Sequence, residues 1–216
     1  MCARYTMLTI EEVREVVTAV ERGEVLRRLV AGTPRAQAFP GSRVPAISGQ
    51  PGALRVDEPL WGFEVEWSKQ PVFNTRIESA LGGSAIWREA METGRCIVPA
   101  AAFFEPHRSE KAISPRTGKP VKRPYAFESP DGEALLMAGV QAHGRCSVVT
   151  CEPNAHVAPV HPRMPLLLHA HEAPIWLEGN AADLAGLADR STLQLSARAE
   201  LDAAAPTHSP EQLSLF

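Results

Sequence analysis

The chain has 216 residues, 44% of them apolar and 22% charged, with a formal net charge of −3. That length suits one domain with a substantial core, and no apolar run approaches the roughly 20 residues of a membrane span. "MCARYTMLTIEEV" lacks the basic start and long apolar stretch of a secretory signal, so the protein reads as a cytoplasmic monomer without a membrane or overall polyanion-binding character.

Residues 2–8 read as a strand, and Thr9 followed by Glu12 is a capping-box signature opening a helix to about Val20. "GTPRAQAFPGSRVP" then interrupts regular structure as far as Val44. "ALRV" and "LWGFEVEW" look like strands, and "SAIWREAMETG" like a helix capped by Ser84 and stopped by Gly94. "CIVPAAAFFE" is an apolar strand; "YAFES" and "ALLMAGV", flanking "PDG", resemble a hairpin. "CSVVTCE" and "MPLLLHA" are further strands, with short helices over "APIWLE" and "AADLAGLAD". Many short strands with few helices predict a mainly antiparallel α+β domain over residues 2–205, followed by a polar tail over 206–216.

Four cysteines in a reducing compartment argue against structural disulfides. Cys146 and Cys151 have His156 and His161 nearby, but they sit in a β-branched segment whose alternation points the two thiols to opposite faces. No metal or other cofactor is expected. Charge is uneven: "HRSEKAISPRTGKPVKRP" holds Arg108, Lys111, Arg116, Lys119, Lys122 and Arg123 against the single acid Glu110. Such a loop is either a phosphate contact or a solvated insertion.

Polar groups cluster where a plain core would not want them. In "FNTRIES", Asn74, Arg76 and Glu78 alternate, so an extended segment puts all three on one side. "AAFFEP" ends an apolar strand on Glu105, and "VHPRMP" supplies His161 and Arg163. Cys2 directly follows the initiator methionine; its small size allows removal of Met1, after which one residue carries both a thiol and a free α-amine. Each of these residues has an ordinary reading as a turn former, surface charge or structural histidine.

"MCARY", "LWGFEVEW", "FNTRIES", "RCIVPAAAFFE", "VVTCEPN" and "VHPRMPLLL" occur in the order of the SOS response-associated peptidase (SRAP) family, which the chain resembles from residue 2 to about 178. Departures are Ala3 for the usual Gly, Val65 for a Pro, Glu66 beside Trp67, Pro106 for a Trp and Val149 for a Thr. The resemblance implies a compact α+β domain with a barrel-like sheet, and a protein that senses abasic sites in single-stranded DNA. It implies a covalent thiazolidine link through the thiol and α-amine of Cys2. Glu105 and His161 would be its acid/base groups, and Asn74 would orient the cysteine or the sugar. Arg76 and Arg163, with Arg4, would hold phosphates, and Trp67 would stack on a base. The peptidase assignment leaves an amino-terminal-nucleophile hydrolase as an alternative, and a non-covalent DNA-damage adaptor is a third.

The chain ends on "EQLSLF", which resembles the peptide by which bacterial replication and repair proteins bind the DNA sliding clamp, with matches at Gln212, Leu213, Ser214, Leu215 and Phe216. Leu215 and Phe216 would fill an apolar pocket and Gln212 would make a polar contact. Docking of the tail on its own domain is the alternative.

Overall fold

In the computed structural model, which describes residues 2–202, strand β1 (Tyr5–Met7) leads into helix α1 (Ile10–Arg22). The helix starts where the capping box predicts: the Glu12 amide donates to Thr9 Oγ1 at 3.3 Å and the Thr9 amide to Glu12 Oε2 at 2.9 Å. It ends at Gly23, whose φ of 63° is a left-handed conformation that costs glycine little. Val13, Val16, Ala19 and Val20 form its buried stripe.

Short strands β2 (Gln37–Ala38), β3 (Ala46–Ser48), β4 (Arg55–Asp57), β5 (Leu60–Trp61), β6 (Phe63–Val65), β7 (Ser68–Val72) and β8 (Asn74–Arg76) follow, then helices α2 (Ile77–Leu81) and α3 (Arg88–Thr93). "LWGFEVEW" is two strands rather than one, split at Gly62 with φ 127°. A Cβ at Gly62 would lie 2.8 Å from Pro71 Cβ, so glycine is what lets β6 turn away and pair with β7 as a separate ribbon. Ser84 does not cap a helix: α3 begins only at Arg88, with Trp87 at the cap position, and stops at Gly94 as expected.

The second half contains β9 (Arg95–Ile113), β10 (Pro120–Glu128), β11 (Leu135–Ala142), β12 (Arg145–Cys151), β13 (Met164–Pro165), β14 (Leu167–Leu168), α4 (Ala173–Glu178), α5 (Ala181–Gly186) and β15 (Ser196–Ala199). Strand β9 is the spine. Its first part pairs with β11, from Arg95↔Val140 to Ala100↔Leu135. Its second part pairs with β10, from Phe103↔Phe127 to Ile113↔Pro120. Strand β1 occupies the opposite edge, with Tyr5 facing Phe103.

The expected hairpin between "YAFES" and "ALLMAGV" is therefore corrected. Its turn exists, with Gly132 at φ 73°, but β10 and β11 each pair with β9 instead of with one another. The hairpin that does form is β9–β10, closed by the Ser114 amide donating to the Lys119 carbonyl at 3.0 Å. The basic stretch is thus a β-ribbon, not a loop.

The main sheet runs β13-β12-β11-β9-β1-β2, with other strands attached along it. It is antiparallel except where β5 and β8 lie parallel to β12. Its ends do not pair, so the barrel-like core stays open. Trp61, Trp176, Phe103, Phe127, Ile97 and Leu136 fill the interior. Among the described residues no helix is long and apolar enough to cross a membrane. The peptide Gln212–Phe216 lies outside the described residues.

Candidate active site at the amino terminus

Antiparallel pairing of β1 with β9 decides where the chain's start goes. Tyr5 faces Phe103, and the Phe104 amide donates to the Arg4 carbonyl at 3.0 Å, so residues before Tyr5 run beside those after Phe103. Cys2 and Glu105 are brought together in this way, both buried. The Cys2 thiol points back at the Arg4 carbonyl, 3.5 Å away.

Asn74 arrives from β8, whose parallel register with β12 sets Asn74 beside Val148. Two buried hydroxyl contacts lock that register: Thr75 Oγ1 to Ser147 Oγ at 2.9 Å, and Thr150 Oγ1 to the Thr75 carbonyl at 3.3 Å. The buried Asn74 amide then donates from Nδ2 to the Cys2 carbonyl at 2.9 Å.

His161 sits on the connection between β12 and β13. Buried Asn154 organises that connection, accepting from the His156 and Val157 amides at 3.1 and 3.2 Å and donating to the Leu193 carbonyl at 2.9 Å. The His161 amide donates to the Val157 carbonyl at 2.9 Å. Its ring Nδ1 lies 2.8 Å from the Arg163 carbonyl and 3.5 Å from Glu105 Oε2. The Arg163 amide also donates towards Nδ1, at 3.2 Å, so one tautomer satisfies the carbonyl and the other the amide, and the ring is held in place by either.

The electrostatics follow from burial. Desolvation pushes Glu105 up to about 7, a value at which a carboxyl both gives and takes protons near neutral pH. Burial pushes the Cys2 thiol far above its ordinary range, and the Glu105 charge adds to that. Burial also holds His161 below its usual value; its bond to the Arg163 carbonyl opposes this, while the positive charges of Lys122 and Arg108 reinforce it. Among the described residues no group of three or more His, Cys, Asp and Glu could hold a metal ion.

The arginines and the tryptophan expected to meet DNA occupy different environments. Arg4 lies over the Phe104 ring, 3.7 Å from its centroid, and is ion-paired with Glu200. Arg76 is exposed at the end of β8. Glu78 does not continue an extended segment with Asn74 and Arg76, because α2 begins at Ile77; it instead grips Arg163 through two contacts of 2.9 Å. Trp67 stands 72% exposed in the turn between β6 and β7. Four contributors were not singled out from the sequence: Phe104, Glu200, Asn154 and the Thr75–Ser147 pair. Phe104 and Asn154 left a signal there, as members of "RCIVPAAAFFE" and "VVTCEPN".

A family model described as SOS response associated peptidase (SRAP) matches residues 1–204. The chain is 24% identical over 203 residues to the abasic site processing protein YoqW of Bacillus subtilis, covering 85% of this chain and 83% of that protein. It is 26% identical over 153 residues to the abasic site processing protein YedK of Escherichia coli, covering 66% and 64%. A solved phage-related protein from Bordetella bronchiseptica shares the fold, with a TM-score of 0.66 at 24% identity over 92% of this chain and 93% of that one. A solved protein from Bacteroides thetaiotaomicron gives 0.62 at 20% identity, covering 92% and 91%. With a match across nearly the whole length, the chain belongs to the SRAP family.

Proposed function

We propose that this protein processes abasic sites in single-stranded DNA and does so by bonding to them through Cys2 once Met1 is removed. The observation that supports this reading is the convergence of a thiol, a carboxyl near neutrality, an imidazole and an orienting amide: Cys2, Glu105, His161 and Asn74. Relatives named abasic site processing proteins point the same way.

The chemistry balances on these groups alone. Opening of the abasic sugar moves the hydroxyl proton of C1 to a base and protonates the ring oxygen, leaving an aldehyde. The α-amine of Cys2, whose ordinary pKa is about 7.7–8, attacks that carbon; loss of water gives the imine. The thiol then adds across C=N, forming the C–S bond while its proton passes to nitrogen, and a five-membered thiazolidine closes. Burial and the Glu105 charge disfavour the thiolate, which suits an order in which the amine attacks first and sulfur second. Glu105 relays protons at each step, with His161 as the second base.

Denaturing electrophoresis of the Met1-trimmed protein with single-stranded DNA containing one abasic site tests the reading. A denaturant-stable band that Cys2→Ala abolishes is expected. Its absence with a confirmed free amino terminus would leave the adaptor or hydrolase reading. The tail peptide Gln212–Phe216 would deliver the protein to the sliding clamp; its deletion should end clamp pull-down and leave the covalent band unchanged.

A further inference from the structure

The sheet leaves one strongly charged feature unexplained, the ribbon of β9 and β10 beyond Glu105. Its only acid, Glu110, is already engaged, accepting from Arg123 at 3.0 Å and from the Tyr125 hydroxyl at 2.8 Å. Among the described residues, no carboxylate pairs with the remaining cations Arg108, Lys111, Arg116, Lys119 and Lys122. The register makes this costly: Lys111 lies directly opposite Lys122, and both are exposed. Directly opposed residues of an antiparallel pair share a face, and like charges there repel. Arg116 and Lys119 add two more exposed charges at the turn. A local rule broken on an exposed ribbon points to a partner that supplies the missing charge.

The ribbon's base abuts the candidate active site. The Arg108 amide donates to the Val160 carbonyl at 3.0 Å and its guanidinium to the Ala158 carbonyl, on the connection that carries His161. Lys122 and Arg108 are near enough that their charges act on His161. The cations therefore start at the site and continue away from it along one ribbon.

We infer that the β9–β10 ribbon is an arm that grips the phosphates of the nucleic-acid strand running out of the site, with Lys111 and Lys122 as a paired phosphate clamp. The identity of that strand as lesion-bearing single-stranded DNA rests on the proposed function; the grip itself does not. A repeating anion is the partner that fits a row of cations continuing from a site.

Lys111→Glu is the discriminating variant, because it turns the opposed lysines into a cross-strand ion pair. The full chain would be tested with undamaged single-stranded DNA of about 16 nucleotides, the upper end of a compact single-strand site. Arg14→Glu on the exposed side of α1 serves as the control for an equal change in charge. Thermal stability is expected to rise while DNA affinity falls, and the slope of log affinity against log salt to shrink by about 1.4, roughly 0.7 for each of two lost phosphate contacts. The control should leave the slope nearly unchanged. Undiminished affinity and slope in Lys111→Glu, or equal losses in Arg14→Glu, would overturn the arm. A slope change in Lys111→Glu with no bond between wild-type protein and abasic DNA would keep the arm and remove the covalent reading. Bonding by wild type without a slope change would do the reverse.

Discussion

Arg163 and Glu78 form a two-pronged ion pair, Nη1 to Oε1 and Nη2 to Oε2, each at 2.9 Å. The pair ties the His161 connection to helix α2, and the Arg163 carbonyl holds the His161 ring at 2.8 Å. A third donor contact runs from Arg163 Nη2 to the Thr150 carbonyl at 2.7 Å. The guanidinium assigned to phosphate by family resemblance is thus committed within the protein, where it positions the histidine. To bind phosphate as well, it must exchange one anion for another.

Glu78→Gln tests that exchange. The Glu78 side chain is half exposed, so the loss in stability should be modest, about 0.5–1 kcal/mol at pH 7. Arg163 holds the Glu78 carboxyl below its usual range. A depressed folded pKa gives stability that is present above the unfolded value of about 4.3 and lost as pH falls through the lower folded value. Urea denaturation curves of wild type and Glu78→Gln should therefore differ at pH 7 and converge in acid. Affinity for single-stranded DNA should rise, since Arg163 no longer has a carboxylate to leave; unchanged affinity would remove Arg163 from the DNA contacts.

Glu105 carries the opposite sign. Burial lifts it to about 7, so the folded protein binds a proton that the unfolded chain, at about 4.3, releases. Stability from this group is complete below the unfolded value and declines as pH rises towards 7, by on the order of 3 kcal/mol. Glu105→Gln should flatten that decline and leave the protein more stable than wild type at pH 8, while the reaction with abasic DNA is lost. Equal pH slopes in the two proteins would show that Glu105 is not the titrating group.

Local features were readable in the sequence because local chemistry decides them. The Thr9–Glu12 box, the Gly94 stop and the strand at "CSVVTC" needed only neighbours along the chain. The hairpin expected across "PDG" failed because β9 is long enough to exchange partners midway: β11 pairs with it up to Ala100 and β10 from Phe103 onwards. Proximity in sequence favours pairing β10 with β11, and nothing short-range reveals the switch. Period 2 extended past Ile77 puts Glu78 on a face with Asn74, but the chain turns helical at that point. Convergence of Cys2, Asn74, Glu105 and His161 depends on strands far apart in sequence, so residue types pointed to the groups while only the sheet brings them together. The Arg4–Glu200 pair, joining the two ends of the domain, had no sequence signal.

Asn74→Ala should separate positioning from binding. Removing Nδ2 leaves the Cys2 carbonyl without its 2.9 Å donor in a buried setting, a loss of about 1–3 kcal/mol. The amino-terminal residue then loses the contact that fixes its backbone. The bonding rate at saturating abasic DNA should fall severalfold, with the affinity for undamaged strand unchanged, as judged by single-turnover electrophoresis and fluorescence anisotropy. A fall in affinity with an unaltered rate would assign Asn74 to the DNA instead.

Trp67 offers the cleanest test of DNA contact because the fold does not depend on it. Its ring is 72% exposed, in the turn of a ribbon, β6–β7, that is separate from the main sheet. Trp67→Ala should leave the thermal midpoint where it is. Loss of one stacked base costs about 1–3 kcal/mol, so affinity for single-stranded DNA should drop roughly tenfold to a hundredfold. If DNA passes over Trp67, the adjacent acid Glu66 would repel the approaching phosphates, so Glu66→Gln should tighten binding, most at low salt where the repulsion is least screened. In the double variant the benefit of Glu66→Gln should persist if repulsion acts on the backbone, and vanish if it acts only through the stacked base. Unaltered affinity in Trp67→Ala would place the bases elsewhere and leave the exposed ring without a role in DNA binding.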